Sequence, residues 1–301
     1  MHKMIRSSQG AAVLLGLALV AAPSSAAVVT RTAQGATGAS ILATVDQFRA
    51  DLGTNNGVGP CAGTCVPGAG RREVNWDAVP DAFASGGANP FPGNFFNLVS
   101  PGSPAGRVRG IQFSTAGTFE VSARSGNPTG TDVLFGNQNA DNPNQFAAFS
   151  AERIFGVVGS TELNVSFSLP GDPGTPAVVR GFGAVFTDVE IAGRTFLEFF
   201  DFGGNLLAHV DAPAFPLGPG GADTFKSFSF AGASFDSASV ARVRIVSGDF
   251  DLSRNIGGDD AVAMDDFIFG EPTLRAVPAP TSLSFLGLVV VGLMATRRRR
   301  V

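Results

Sequence analysis

The sequence is poor in the residues that most catalytic and metal sites use. Its 301 residues include no tyrosine, one tryptophan, two cysteines and two histidines. Two histidines exclude a histidine-rich zinc site by count. The sequence has no Gly-x-x-x-x-Gly-Lys loop, dinucleotide fingerprint or Gly-x-Ser-x-Gly elbow, so the usual motifs of nucleotide binding and serine hydrolysis are missing. His209 would have to serve any catalytic triad, but it lies inside a predicted strand, which is typical of a structural or exposed residue.

Basic residues are also few between the two ends of the chain. Residues 27–275 contain 15 arginines and lysines, with Lys226 as the only lysine, against 25 aspartates and glutamates. The resulting formal charge of −10 argues against nucleic-acid binding, which depends on neutralising phosphates. It is compatible with divalent cations, neutral glycans or solubility outside the cell.

Phenylalanine, in contrast, occurs 27 times. Its ring buries well but lacks the hydrogen-bonding group of tyrosine and tryptophan, which form most exposed sugar-binding platforms. The phenylalanines therefore predict an apolar core more than a glycan-binding surface.

The first 26 residues have the layout of a secretory signal peptide. A basic start with Lys3 and Arg6 precedes an apolar stretch over 11–22, and small residues follow at 24–26. Because signal peptidase requires small residues before its cleavage point, we predict cleavage after Ala26, with cleavage after Ala27 nearly as good. An uncleaved anchor is the alternative, although its apolar core is short for a hydrocarbon layer of about 30 Å.

The last 26 residues combine a Pro-rich break, one apolar run over 283–295 and a basic end. The run is shorter than the roughly 20 residues of a comfortable transmembrane helix. A basic end would stay in the cytoplasm by the positive-inside rule, which leaves the body facing outward. A buried amphipathic helix is the alternative, but the run has no polar face beyond Ser282 and Ser284. The break contains Val277, Pro278, Ala279 and Pro280, and the basic end contains Arg297, Arg298, Arg299 and Arg300.

This three-part tail resembles the C-terminal sorting signal of exported PEP-CTERM proteins. Members of that family have a Pro-Glu-Pro motif, a short membrane helix and a basic end; here Ala279 stands where glutamate is usual. The resemblance covers residues 276–301. It implies recognition and cutting by an exosortase-type enzyme, and it implies an association with exopolysaccharide. The tail would anchor the chain in the membrane until processing leaves the body at the cell surface or outside the cell.

The body shows the period-two alternation of β-strands. Over 161–169, Leu163, Val165 and Phe167 alternate with polar residues. A break at 192–194 predicts a hairpin between the strands on either side of it. Many short strands with Gly, Pro, Asn and Asp between them predict an all-β fold, an antiparallel two-sheet sandwich of jelly-roll type. Short helices or turns are predicted at 47–52 and 76–84, and the other strands at 107–113, 118–123, 153–158, 180–191, 195–201, 206–210, 225–230, 240–246 and 261–269.

These features divide the chain into a signal peptide at 1–26, an irregular Gly-rich lead-in at 27–70, a β-sandwich domain at 71–275 and a sorting tail at 276–301. Cys61 and Cys65 lie in a loop of the lead-in that is rich in proline and glycine. In an exported protein, a disulfide that closes this small loop is the leading interpretation. Two free thiols, or redox or metal chemistry, are the alternatives.

Paired carboxylates are the remaining candidates for chemistry. Asp188 and Glu190 lie two residues apart on a predicted strand and hence on one face. Glycoside hydrolases use such pairs roughly 5 to 10 Å apart, although solvent-facing polar residues are the commoner interpretation.

A second acidic segment covers 247–271. Asp265 and Asp266 interrupt an apolar strand, and neighbouring strand residues are expected to face opposite sides of the sheet. A carboxylate on an apolar face is costly unless it is paired or bound to a metal. Arg242 and Arg244 are the predicted partners, and a structural calcium ion held by Asp265, Asp266 and Asp188 is the alternative.

Three functions remain. The first is a non-enzymatic exported sandwich protein of the cell surface or exopolysaccharide matrix. The second is a glycan-binding module, which predicts retardation in gels that contain the exopolysaccharide. The third is a secreted carbohydrate-active hydrolase, which predicts loss of cleavage in Glu190→Gln.

Overall fold

The computed structural model describes residues 27–60, 69–84, 90–98, 104–126, 133–215, 226–254 and 259–275. The predicted signal peptide, Cys61 and Cys65, and the sorting motif with its basic end lie outside these ranges. Among the described residues, no helix has both the length and the apolar character needed to cross a membrane.

Strands dominate the described part of the chain. Two α-helices, α1 (Gly38–Leu52) and α2 (Asn142–Gln145), accompany short 3₁₀ helices at Asp81–Phe83 and Ala105–Arg107. The strands are β1 (Val28–Gly35), β2 (Arg71–Val74), β3 (Ile111–Ser114), β4 (Thr118–Val121), β5 (Phe155–Val158), β6 (Glu162–Leu169), β7 (Asp172–Pro176), β8 (Gly181–Thr187), β9 (Phe196–Phe200), β10 (Leu206–Asp211), β11 (Phe228–Phe235), β12 (Arg242–Val246) and β13 (Ala263–Gly270).

The strands form two antiparallel sheets, as the alternation predicts. The first sheet has the order β1-β11-β8-β13-β5-β4, with β2 paired to β13. The second has the order β10-β9-β12-β6-β3, with β7 paired to β6. Every strand predicted from the sequence corresponds to an observed one, whereas β1, β2 and β7 were not predicted.

The main core lies between the two sheets. Strand β6 contributes Leu163, Val165 and Phe167, all buried, whereas Glu162 and Ser166 on its other face are at least partly exposed. Phe186 and Phe267 of the first sheet belong to the same apolar cluster. The alternation in β6 therefore identified the inward face correctly.

A second apolar layer covers the outer face of the first sheet. Helix α1 buries Ile41, Val45, Phe48 and Leu52 against β8, β11 and β13. Gly183 of β8 and Gly232 of β11 face each other, and a Cβ atom on either would lie within about 3 Å of the Phe48 ring. Both glycines are thus required for the close approach of α1 to the sheet. Because α1 covers their outer face and the main core covers their inner face, β8 and β11 are buried on both faces.

Two expectations about local structure are wrong. The stretch 27–70 is not irregular throughout, since β1 and α1 occupy 28–52. The strands on either side of 192–194 do not form a hairpin, because β8 belongs to the first sheet and β9 to the second. The hairpin is instead β9–β10, closed by the turn at Gly203 and Gly204.

Candidate functional site

The predicted carboxylate pair Asp188 and Glu190 lies just beyond a strand. Strand β8 ends at Thr187, and Asp188 adopts a left-handed conformation with φ of 74°. The chain turns there, so the expectation of one shared strand face is wrong. Asp188 is buried, with 2% of its surface exposed, whereas Glu190 is half-buried.

The second pair, Asp265 and Asp266, lies at a β-bulge in β13. Met264 pairs with Phe186 of β8, and Phe267 pairs with Ala184. Between these two pairs β13 therefore has one residue more than β8. A bulge turns two neighbouring side chains toward the same side of the sheet. Both carboxyls contact the hydroxyl of Ser150, which contradicts the prediction that they face opposite sides.

The pair is held by donors from two segments that cover the bulge. Asp265 Oδ2 accepts hydrogen bonds from the backbone amides of Phe149 at 2.6 Å and Ser150 at 3.2 Å. Asp266 Oδ2 lies 2.9 Å from Nη2 of Arg49, which projects from α1. Arg49 also contacts Glu73 of β2 at 3.1 Å, so one guanidinium joins the helix to two strands of the sheet.

The Ser150 hydroxyl has one proton but contacts both carboxyls, at 3.2 Å from Asp265 Oδ1 and 2.8 Å from Asp266 Oδ1. It can donate to only one of them, and the other contact is a hydrogen bond only if that carboxyl carries a proton. Burial raises the pKa of Asp265, and the neighbouring charge of Asp266 raises it further. Burial also raises the pKa of Asp266, against the opposing effects of Ser150 and Arg49. The arrangement therefore favours one shared proton on the pair.

The prediction that Arg242 and Arg244 pair with Asp265 and Asp266 is wrong. Arg242 and Arg244 lie on β12 in the second sheet. Arg242 donates to Asn164, and Arg244 pairs with Glu162 and Glu198. Arg49 of α1 takes the predicted role; it lies in the segment 47–52 predicted as a short helix or turn, but its pairing with Asp266 was not predicted.

The structure brings Asp265 and Asp266 together but does not add Asp188 to them. Within the described ranges, no three His, Cys, Asp or Glu side chains gather closely enough to hold a metal ion. The oxygens of Asp265 and Asp266 face amide, hydroxyl and guanidinium donors. The calcium site stays a prediction that the geometry of this pair does not favour.

Another buried carboxyl, Asp260, organises the acidic loop before β13. Its two oxygens accept hydrogen bonds from the amides of Glu190 at 3.1 Å and Ile191 at 3.3 Å. Its own amide donates to Asp249 Oδ1 at 2.9 Å. Burial raises the pKa of Asp260 to about 6, and the charge of Asp249 acts in the same direction.

We expect the contribution of Asp260 to the stability of the protein to fall as the pH rises from about 4 to about 6. The unfolded pKa of aspartate is about 3.9, so within this range folded Asp260 binds more protons than the unfolded chain does. Stability falls with rising pH wherever the folded state binds more protons. Two pH units of separation correspond to about 3 kcal/mol for this carboxyl. Urea unfolding across the pH range, followed through the single tryptophan, measures the slope.

Asp260→Asn should make the slope of stability against pH less negative, because asparagine does not titrate, whereas Asp265 and Asp266 still contribute. Asp259→Asn is the matched control, since the side chain of Asp259 pairs with Arg254, which is 54% exposed. An unchanged slope in Asp260→Asn would show that other groups produce the pH dependence.

Sequence interpretation missed Arg49, Ser150 and the acceptor role of Asp260. A signal for Arg49 was present, because Ile41, Val45, Phe48 and Leu52 repeat with helical spacing and place Arg49 beside the apolar face. No comparable signal marks Ser150, which reaches the bulge through tertiary contacts across 115 residues of sequence.

Comparisons of the chain with protein-family models and with curated protein sequences find no match.

Proposed function

We propose that this is an exported β-sandwich protein of the cell surface or extracellular matrix, sorted through its C-terminal tail and without catalytic activity. A signal peptidase and an exosortase-type enzyme would be its processing partners, and exopolysaccharide its surroundings. Nucleic acid is not an expected partner of a body with this acidic balance.

One observation carries the proposal: a proline motif, a short apolar run and four arginines follow one another in the last 26 residues. An apolar run of this length suits temporary anchoring better than a permanent span. Two antiparallel sheets with a well-packed core are compatible with a domain that works outside the cell. We further propose a jelly-roll connection of the strands as the finer description of the fold.

The start of β1 supports cleavage after Ala26. The backbone nitrogen of Ala27 lies 3.1 Å from Oδ2 of Asp236, and the amide of Asp236 donates to the Ala27 carbonyl at 3.3 Å. Cleavage after Ala26 would turn that nitrogen into an ammonium group facing a carboxylate. Cleavage after Ala27 would remove both contacts, so the structure favours the first of the two predicted positions.

The test is the intact mass of the mature protein, made in a bacterium that has an exosortase-type enzyme. We expect a chain that begins at Ala27 and ends before the apolar run at 283–295. Replacing Arg297, Arg298, Arg299 and Arg300 by serine should leave an unprocessed tail, because the basic end fixes the topology that the enzyme needs.

An isogenic strain without the exosortase-type enzyme is the control, and it should keep the full tail on the wild-type chain. Arg275→Ser, a change just before the tail, should be processed normally. A mature wild-type protein that still ends at Val301 in the competent strain would refute the sorting proposal.

A further inference from the structure

A small cavity opens beside the aromatic core. Its volume is about 110 Å³, and most of its lining is apolar. Buried aromatic and apolar side chains form part of the wall, and two arginines and several exposed residues form the rest. The lining includes Trp76, Val79, Phe95, Phe96, Arg107 and Arg109.

Backbone hydrogen bonds hold the two arginines against the aromatic wall. The Arg109 amide donates to the Phe96 carbonyl at 3.0 Å, and a β-bridge joins Asn97 to Val108. The Arg107 guanidinium carbon lies 3.9 Å from the centre of the Phe95 ring, and that of Arg109 lies 5.5 Å from the centre of the Phe96 ring. Guanidinium groups placed over rings in this way keep their edge N–H donors available.

Neither arginine has a carboxylate partner within the part of the chain that the structure describes. Their hydrogen bonds there use Nε, which donates to Phe95 O at 3.2 Å from Arg107 and to Gly106 O at 2.9 Å from Arg109. Burial lowers the pKa of both arginines, and the charge of Arg72 lowers that of Arg109 further, against the attraction of Glu73. Arg72 is already neutralised by Glu271 at 2.8 Å. The two cations are thus partly desolvated and have no carboxylate partner among the described residues.

We propose that this cavity binds a small carboxylate whose body is one apolar ring. The ring would fill the space beside Trp76 and Phe96, and the carboxylate would accept hydrogen bonds from the fork of Arg107 or Arg109. A closed apolar cavity of about 150 Å³ holds a benzene-sized ring, so an open one of about 110 Å³ matches a single six-membered ring. The inference stands on these residues alone and does not depend on the sorting proposal.

Trp76 is the only tryptophan of the chain and lines the cavity, so its fluorescence reports occupancy in the full-length protein. We would titrate the full chain with cyclohexanecarboxylate, which does not absorb where the indole is excited. Its neutral analogue cyclohexanecarboxamide and the polar ring acid glucuronate serve as comparison ligands. We expect saturable binding of cyclohexanecarboxylate, with the carboxamide and glucuronate each at least about tenfold weaker.

At least one of the variants Arg107→Met and Arg109→Met should weaken cyclohexanecarboxylate binding about tenfold or more. Arg242→Met is the matched control. The Arg242 guanidinium carbon also lies 3.9 Å from the centre of a phenylalanine ring, that of Phe200 in the second sheet. Arg107→Lys keeps a charge but loses the planar fork, so it should bind with intermediate affinity even if the methionine variant folds poorly.

Three results would overturn the inference. Equal binding of the acid and the carboxamide would show that the arginines do not recognise charge. Tighter binding of glucuronate would contradict the apolar body of the ligand. Unchanged affinity in both arginine variants would show that Arg107 and Arg109 only cover the phenylalanine rings.

Discussion

Replacing Arg72 by methionine is expected to lower the free energy of unfolding by about 3–5 kcal/mol, because the change leaves a buried carboxylate without its partner. Arg72 on β2 has no exposed surface, and the Glu271 side chain is 2% exposed. The two groups form a double hydrogen bond, with Nε to Oε2 and Nη2 to Oε1 each at 2.8 Å.

The surroundings of this pair make the loss difficult to compensate. Nη1 of Arg72 donates to the Gly59 carbonyl at 2.9 Å, and Asn56 donates to Glu271 Oε2 at 2.9 Å. The arginine therefore joins the segment before residue 60 to the end of β13. Methionine fills a similar volume but provides no donor, so both the carboxylate and a carbonyl lose hydrogen bonds.

Two further variants separate the buried pair from ordinary surface charge. The double variant Arg72→Met/Glu271→Leu should recover much of the loss, because an apolar pair of similar volume removes the uncompensated charge. Arg194→Met, which breaks a surface contact of 3.9 Å with Asp249, should cost about 0–1 kcal/mol. Urea unfolding measures all three, and an Arg72→Met cost no larger than that of Arg194→Met would contradict the expectation.

The strands were predictable where one face of a strand meets the core and the other meets solvent. Strand β6 shows this clearly, because Leu163 and Val165 are fully buried and Ser166 is exposed. Strand β8 was predicted from its richness in phenylalanine and valine, not from alternation, because it is buried on both faces. Two antiparallel sheets could therefore be inferred from local patterns alone.

Only the last part of helix α1 was predicted, as a short helix or turn at 47–52, because the apolar stripe is narrow and small residues surround it. Its packing depends on Gly183 and Gly232, which lie some 130 to 190 residues further along the chain and make room for Phe48. A sequence pattern does not reveal that these two glycines leave space for Phe48. The sequence pattern therefore does not place Arg49 beside Asp266, and it predicts Arg242 and Arg244 of β12 as partners instead.

The side of the sheet that Asp265 and Asp266 face could also not be predicted from the sequence. Strict alternation placed Asp265 and Asp266 on opposite faces, but one extra residue in β13 turns both carboxyls toward Ser150. A bulge is set by the register against neighbouring strands, which is a tertiary property. The composition indicated buried acids that need partners, and only the fold identifies those partners as Arg49, Ser150 and the amide of Phe149.

Trp76→Ala is the other substitution with a large expected effect, a loss of about 3–5 kcal/mol in the free energy of unfolding. The indole is 1% exposed and stacks on Phe155, with ring centres 4.0 Å apart and planes within 2°. Further phenylalanine rings pack around it at centre distances of 5.3 to 5.9 Å, those of Phe91, Phe96, Phe113 and Phe267.

The indole also connects the aromatic core to the acidic bulge. Its Nε1 donates to the Asp265 carbonyl at 2.9 Å, so alanine would leave that carbonyl without this donor as well as opening a cavity. Trp76 has a φ of 59°, a conformation that costs about 1–3 kcal/mol for a bulky residue and that dense packing must hold in place. Alanine keeps the backbone strain while it removes the packing that compensates for it.

Thermal or urea unfolding followed by circular dichroism is the appropriate measurement, because the variant has no tryptophan. Trp76→Phe should cost clearly less than Trp76→Ala, since a ring remains against Phe155 and only the hydrogen bond and part of the volume are lost. Phe202→Ala is the surface control, because Phe202 is 41% exposed. Its free energy of unfolding should stay within about 0.5 kcal/mol of that of the wild type. If Trp76→Ala cost as little as Phe202→Ala, the aromatic cluster would contribute far less to stability than its burial and ring contacts imply.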